Sequence, residues 1–405
     1  MKYFGLLLFF AAVSAHAVSL IGTDALGQGN DGARFGNAKT EEGLSMVNPA
    51  RLAFERKVSF SAVVNYEVAV ATKGDDTYAS DNVEIPSLAF IFPLGRFGAL
   101  SVGVWQHYSA NMSTSVTDSS NHYSTEVEYR GSLFELTPSY ALRLPFLRRV
   151  SLGGTVHFVM GANSRRITLG PDKSNLAPED TWASTDAKIT DAADGDWKIK
   201  NHPAYYTGSI QYAGRSVEYF FSYTTPYTLR NKLKYDLQFS QLDTLRPSTV
   251  TREIEMPATF ATGVNFKFMK VHNIMLDVLV RNWDDAVPNI AGGWNLPDET
   301  EVQRELSVGG GYQRDGSDLA YESYVNRTSF RLGAWYRSWY IKDVNEFGGS
   351  LGVGLPLGIR GTKLDVSIHG GYRTAEKPNW DESFFGVSVG LIGVGNWGQP
   401  SRRYR

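Results

Sequence analysis

From residue 56 onward, apolar and polar positions alternate along the chain. Between Arg56 and Thr72, Val58, Phe60, Ala62, Val64, Tyr66, Val68 and Val70 fall on one face, and Lys57, Ser59, Ser61, Asn65 and Glu67 on the other. Successive side chains of a strand point to opposite faces, so this segment has one apolar and one polar side. At about 3.3 Å per residue it is long enough to cross a bilayer, whereas a soluble strand is typically about five or six residues. Repetition of the pattern predicts an all-β transmembrane antiparallel barrel, apolar towards lipid and polar towards its lumen.

The alternation predicts about fourteen strands, starting near Arg56, Val83, Phe97, Tyr123, Val150, His202, Ser216, Val250, Val271, Val302, Thr328, Asn345, Thr362 and Glu382. Tight connections are expected at Leu94 to Arg96, Pro145 to Arg149, Gly214-Arg215, Met269-Lys270 and Gly358 to Gly361. Long ones are expected at Lys73 to Asn82, Asn111 to His122, Asn163 to Asn201, Gln241 to Thr249, Asp284 to Glu301 and Thr374 to Asp381. Short and long alternate, which puts the tight turns on one side of the membrane, the periplasmic side in outer-membrane barrels. Arg314 to Arg327 is long for a turn, and Lys342 to Val344 is short for an outer loop.

The faces assign the charges. Ile274, Leu276, Val278 and Val280 alternate with Asn273, Met275, Asp277 and Arg281, and Leu364, Val366 and Ile368 with Lys363, Asp365, Ser367 and His369. A charge facing lipid near the midplane costs about 2–4 kcal/mol, so Asp277 and Arg281 are expected in the lumen, paired with each other or with neighbouring strands. A soluble β-sandwich explains neither the loop alternation nor the aromatic content of 13%. Trp105, Tyr108, Trp283, Trp335, Trp339, Trp380 and Trp397 lie near predicted strand ends, as expected of interface anchors or of ordinary packing.

The amino terminus adds an address. Lys2, the apolar run Phe4 to Val13 and Ala15-His16-Ala17 predict a signal peptide over 1–17. The chain has no cysteine, which removes disulfides, thiolate metal sites, thiol nucleophiles and a lipoprotein anchor. Export without cysteine points to the outer membrane of a bacterial envelope. Mean hydropathy is −0.25, as when each lipid-facing residue is averaged with a lumen-facing one. The net charge of −2 suggests no nucleic-acid partner, and the tail 398–405, with Arg402, Arg403 and Arg405, is read as solvated.

Before the barrel (56–397) lies a Gly-rich segment over 18–55, with Gly22, Gly27, Gly29, Gly32, Gly36 and Gly43, closing on Asn48-Pro49-Ala50. It is too polar to span a membrane, and it reads as a plug in the lumen or as a periplasmic tail. Glycines let a plug backbone approach the wall, and Pro49 fixes a turn.

Here the chain resembles the FadL/TodX-type outer-membrane transporters of hydrophobic compounds. Met46-Val47-Asn48-Pro49-Ala50-Arg51-Leu52 is similar to the N-P-A turn that closes their N-terminal hatch. Gly131 to Leu144, with Thr137-Pro138-Ser139, resembles their fourth strand, and Met256-Pro257-Ala258 to Gly263-Val264 a later one, followed by Asp277 and Trp283-Asp284. Asn345 to Gly349, Gly354 to Leu357 and Glu382 to Val394 look like a branch of FadL-like barrels common in Bacteroidetes-type envelopes. The resemblance implies a monomeric fourteen-stranded barrel with a hatch. Hydrophobic ligands would pass the hatch, or leave sideways into the membrane lipid beside the third strand. There, Gly98 and Gly103 would permit a kink. Phe35, Leu44, Met46 and Val47, the larger apolar residues of the hatch, with Asn48, Pro49 and Ala50, are the expected substrate-binding residues. The family also contains secretion-associated barrels with periplasmic or secretion-system protein partners.

No other chemistry stands out. His107, His157 and His369 lie on predicted strands, none at metal spacing, and no metal or other cofactor is expected. Asp191, Asp194, Gly195 and Asp196 have the wrong spacing for a calcium loop. Gly309 to Gly311 and Gly352 to Gly354 lie in strands without a following helix, so they are not phosphate loops. Ser151 and His157 share one face of the fifth strand, the only hint of a hydrolase, and no enzyme is expected. Three function classes follow: a hydrophobic-solute transporter, a structural or secretion-coupled barrel with protein partners, and an envelope enzyme. An apolar groove from loops to hatch favours the first, and a lumen filled with charges favours the second.

Overall fold

The computed structural model describes residues 36–40, 45–73, 76–118, 123–171, 181–189, 204–239, 242–283, 301, 303–317, 319, 321–357, 362–375 and 380–395. The signal peptide over 1–17, the start of the plug, Phe35, Leu44, the acidic loop near Asp191, Trp397 and the tail 398–405 lie outside them.

Seventeen strand segments form one antiparallel sheet that closes on itself where β1 (Val58–Lys73) pairs with β17 (Trp380–Gly395). The others are β2 (Asp76–Pro93), β3 (Ala99–Asp118), β4 (Tyr123–Arg143), β5 (Val150–Pro171), β6 (Thr181–Ile189), β7 (Ala204–Ala213), β8 (Val217–Thr224) and β9 (Tyr227–Phe239). Then come β10 (Leu242–Met256), β11 (Thr259–Phe268), β12 (His272–Arg281), β13 (Glu305–Arg314), β14 (Ser329–Ser338), β15 (Val344–Pro356) and β16 (Lys363–Ala375). The wall has fourteen staves, because β6 with β7, β8 with β9 and β10 with β11 are each one stave in two pieces. The breaks have local causes. Pro226 and Pro257 lack an N–H for the ladder and separate β8 from β9 and β10 from β11.

The alternation is the wall's inside and outside. Along β8, exposed and buried residues alternate, with Tyr219, Phe221 and Tyr223 exposed and Glu218, Phe220 and Ser222 buried. Along β12, Ile274 and Leu276 are exposed while Asn273, Met275, Asp277 and Arg281 are buried. The apolar exposed face is the one lipid covers, and the polar buried face lines a filled lumen. The tight turns gather at one end, the periplasmic one. There Leu94 N–H donates to Gly98 O (2.7 Å), Val150 N–H to Leu147 O (2.7 Å) and Gly214 N–H to Val217 O (2.8 Å).

Several expected loops are strand. Most of Lys73 to Asn82 and of Asn111 to His122 lies in the β1–β2 and β3–β4 hairpins, and Leu242 onward is already β10. Part of Asn163 to Asn201 continues β5, and part is β6. Along these stretches polar residues fall at both odd and even positions, as in Asn111 to Ser115, so they lack the apolar face that marks a stave. Arg314 to Arg327 is the one elaborate periplasmic turn described, ending in a single helical turn, Tyr324–Arg327, capped by the Ser323 hydroxyl. Trp105, Trp283, Trp335 and Trp339 are all buried, so these four pack inward and are not interface anchors.

One seam departs from regular pairing. β2 and β3 pair only from Ser87↔Trp105 down to Pro93↔Ala99. Above that, β2 continues on β1, and β3 continues on β4 up to Asp118↔Tyr123. Both strands are irregular at the same height. Ile85 and Pro86 together oppose Val64, and His107 is the extra residue between Gln106↔Phe134 and Tyr108↔Leu133. Pro86 has no N–H to donate, which ends the ladder. Gln106 Oε1 accepts from Ile85 N–H (3.1 Å) at the margin. Gly103 lies within the paired stretch and Gly98 (φ +94°) closes the β2–β3 turn, so neither glycine sits at the point of separation.

Candidate functional site: the lumen and the N-terminal segment

The described residues of the N-terminal segment, 36–40 and 45–55, lie against the polar inner face of the wall. Pro49–Phe54 forms a 3-10 turn with proline near its first position, where no N–H is required. Asn48 ties the segment together. Its Nδ2 donates to Asn37 O (2.7 Å) and to Gln211 Oε1 (2.8 Å), and its N–H donates to Ser45 Oγ (3.0 Å). The turn is fixed on both sides, by Ala50 N–H to Ser209 Oγ (2.7 Å) and by Ser151 Oγ to Ala50 O (2.8 Å). Gly153 makes this approach possible, since a Cβ there would lie 2.6 Å from Ala50 Cα.

Charged wall residues hold the rest. Asn37 donates both its N–H and Nδ2 to Asp277 Oδ2 (2.8 Å each), and Thr40 N–H donates to Glu218 Oε2 (3.2 Å). Lys39 Nζ reaches Asp315 Oδ1 (2.8 Å) at the base of the β13–β14 turn. Asp277 therefore meets the plug, while Arg281 meets Glu305 Oε2 (3.2 Å) on β13 and Thr259 Oγ1 (3.0 Å) on β11. The two have separate partners and do not pair with each other.

Above the plug lies a pocket. Met46 and Val47 form its floor, with Tyr205, Tyr227, Met256, Pro257, Leu279, His157 and Arg281 among its walls. Three rings make one side. His157 stacks on Tyr205 (4.2 Å between centroids) and Tyr205 on Tyr227 (4.0 Å). The stack is pinned by Glu135, which accepts from Tyr205 Oη (2.5 Å) and lies 3.0 Å from His157 Nδ1. Ser151 is spent on Ala50 O and His157 on Glu135 and Thr207 Oγ1 (2.9 Å), so no nucleophile–base contact joins them. Among the described residues no cluster of His, Asp and Glu could hold a metal ion.

The rest of the inner wall carries ion pairs between neighbouring strands that alternation alone did not single out. Glu305 also binds Arg337 (2.6 Å) and Trp283 Nε1 (3.1 Å). Arg373 joins Glu346 (2.8 Å) and Glu382, with Trp335 and Trp339 donating to the same Glu346. Arg331 pairs with Asp365 (2.7 Å), both buried. Their signal in the sequence was only a polar residue on the inward face. Their mutual pairing follows from register across strands, between residues 9 to 34 apart.

Known proteins agree with this architecture. A Pseudomonas aeruginosa FadL homologue of known crystal structure superposes with a TM-score of 0.55 at 12% identity, over 95% of this chain and 96% of that one. The Pseudomonas putida toluene transporter TodX gives 0.54 at 13% identity, over 86% and 92%. At such identities the likeness is one of fold: an outer-membrane FadL-type barrel. No curated protein sequence matches the chain. A family model described as BamG matches residues 34–402, nearly the whole barrel with the end of the plug, and the chain belongs to the BamG family.

Proposed function

We propose that this outer-membrane barrel binds small hydrophobic molecules above its plug and lets them pass inward, by way of the plug or the β2–β3 seam. The observation that carries this reading is the pocket, where Met46 and Val47 of the plug meet Tyr205, Tyr227, Met256 and Leu279 in a lumen otherwise lined by charge. Burial of apolar surface there supplies roughly 25 cal/mol per Å². The stacked rings suit a flat or short apolar molecule. TodX, a toluene transporter, shares the fold, which supports the reading by analogy of architecture only.

The test is binding of a fluorescent hydrophobic probe to purified barrel, wild type against Met46→Asp with the fold checked by heat-modifiable migration. Saturable binding that the variant loses supports the reading. No saturable binding to wild type for any long-chain acid, alkane or aromatic compound defeats it.

A second reading, a barrel that serves protein partners and conducts nothing, is favoured by one observation. Buried ion pairs around Glu305, Glu346 and Arg373 line the inner wall between neighbouring strands. Displacing them for a solute would leave charges unpaired at a cost of several kcal/mol. Co-purification of a stoichiometric protein together with absent probe binding selects this reading.

A further inference from the structure

Four periplasmic turns and the start of β1 carry exposed charge of one sign, while the β13–β14 turn mixes Asp315 and Glu322 with Arg314 and Arg327. Lys57, Arg96, Arg148, Arg149, Arg215 and Lys270 are all exposed, and they stand at the start of β1 and in the β2–β3, β4–β5, β7–β8 and β11–β12 turns. No Asp or Glu is exposed among the described residues of those turns. The opposite rim mixes signs, with Glu301 (67% exposed) paired to Lys342 (51%) and with Asp81 and Glu255 exposed.

The basic residues have apolar companions. Phe146 is 96% exposed beside Arg148 and Arg149, and Met269 is 80% exposed beside Lys270. Phe97 is 61% exposed with the Arg96 guanidinium 4.8 Å over its ring. An apolar side chain that wet, next to a cation, suits a boundary where acyl chains meet anionic headgroups. The distribution decides between partners. A protein would meet one side of the barrel, whereas these turns are spread from β1 around to β12. A ring of anionic headgroups around the barrel meets them together.

We propose that the periplasmic rim binds anionic phospholipid headgroups of the inner leaflet, with phosphate on the Arg and Lys side chains and the neighbouring Phe and Met residues in the acyl boundary. This site is independent of what the lumen carries.

The experiment is lipid selectivity of the full chain in phosphatidylcholine vesicles, read as the motionally restricted fraction of spin-labelled phosphatidylglycerol against spin-labelled phosphatidylcholine. Wild type is expected to prefer phosphatidylglycerol, and salt should weaken the preference. Each Lys or Arg removed should weaken affinity at its site roughly fivefold. The variant combining Arg96→Gln, Arg148→Gln, Arg149→Gln and Lys270→Gln should lose the preference, while Lys342→Gln on the opposite rim keeps it. The proposal is overturned if wild type shows no preference, if the fourfold variant keeps it, or if Lys342→Gln removes it equally. Binding of polyglutamate without lipid preference would make the rim a protein site and also overturn it.

Discussion

Lys39 of the plug and Asp315 of the β13–β14 turn lie 2.8 Å apart, Nζ to Oδ1, and are the ion pair that ties the plug to a periplasmic turn. The two ends respond differently. Burial lowers the Lys39 ammonium below its ordinary value even with Asp315 beside it. At Asp315 burial works to raise the carboxyl, but Lys39 and hydrogen bonds from Lys39 and Asn273 outweigh it and hold the group below its usual range. The cation is the more desolvated partner, its side chain 5% exposed against 32% for the acid.

Removing the acid should therefore hurt more than removing the cation. Asp315→Asn takes the nearest carboxylate from a buried ammonium and should loosen the plug by about 1.5–3 kcal/mol, whereas Lys39→Met should cost less. Protease cleavage of the 36–55 segment in intact barrels, from the periplasmic side, measures both. Equal cleavage rates in the two variants would contradict the argument.

The pH dependence has a fixed sign. The Asp315 value is lowered on folding, so its contribution is complete above the ordinary carboxylate value of about 4 and is lost as pH falls through the lower folded value. Plug protection at that contact should hold at neutral pH and fade only in strong acid, and Asp315→Asn should flatten this acid dependence. A loss of protection between neutral pH and about 5 that survives in the variant would assign the effect elsewhere.

Gly153 and Gly208 make a paired test of the plug's seat. A Cβ at Gly153 would meet the backbone of Pro49 and Ala50, whereas one at Gly208 meets nothing within 4 Å. Gly153→Ala should push the 3-10 turn off the wall, break the Ser151 and Ser209 contacts, and cost about 1–3 kcal/mol. Gly208→Ala should be nearly neutral. Urea unfolding in vesicles combined with cleavage of the plug separates loss of the seat from loss of the barrel.

Inside the lumen, Asp365→Asn leaves the Arg331 guanidinium buried without its carboxylate and should destabilise the barrel by about 3–5 kcal/mol. Replacing both, as Arg331→Met with Asp365→Leu, should recover most of that loss, because the two desolvation penalties vanish together. Unfolding midpoints of the single and double variants form the cycle that checks this.

How much of this was legible follows from which physics leaves a local trace. Ile274, Leu276, Asp277 and Arg281 announced their faces because lipid demands an apolar side every second residue. The continuation of β3 through Asn111 to Asp118 did not, because polar residues fall at both odd and even positions there and the period disappears. Trp335 and Trp339 sit near strand ends in sequence, yet their indole N–H groups are committed to Glu346 in the lumen, a partner 7 to 11 residues away across a turn. The Asn37–Asp277 contact spans 240 residues and has no signature in either segment alone.

The separation of β2 from β3 has a topological result. Below Ser87 and Trp105 the molecule is a tube, and a tube has no edges. Above them, β2 stays bonded to β1, β1 to β17 and β17 to β16, while β3 stays bonded to β4, β4 to β5, β5 to β6, β6 to β9 and β9 to β10. Among the described residues, the upper parts of β2 and β3 face each other without ladder bonds beyond the Gln106 contact. Among the described residues the outward part of the wall therefore has a seam with two strand edges, and widening it would break no ladder bond between β2 and β3.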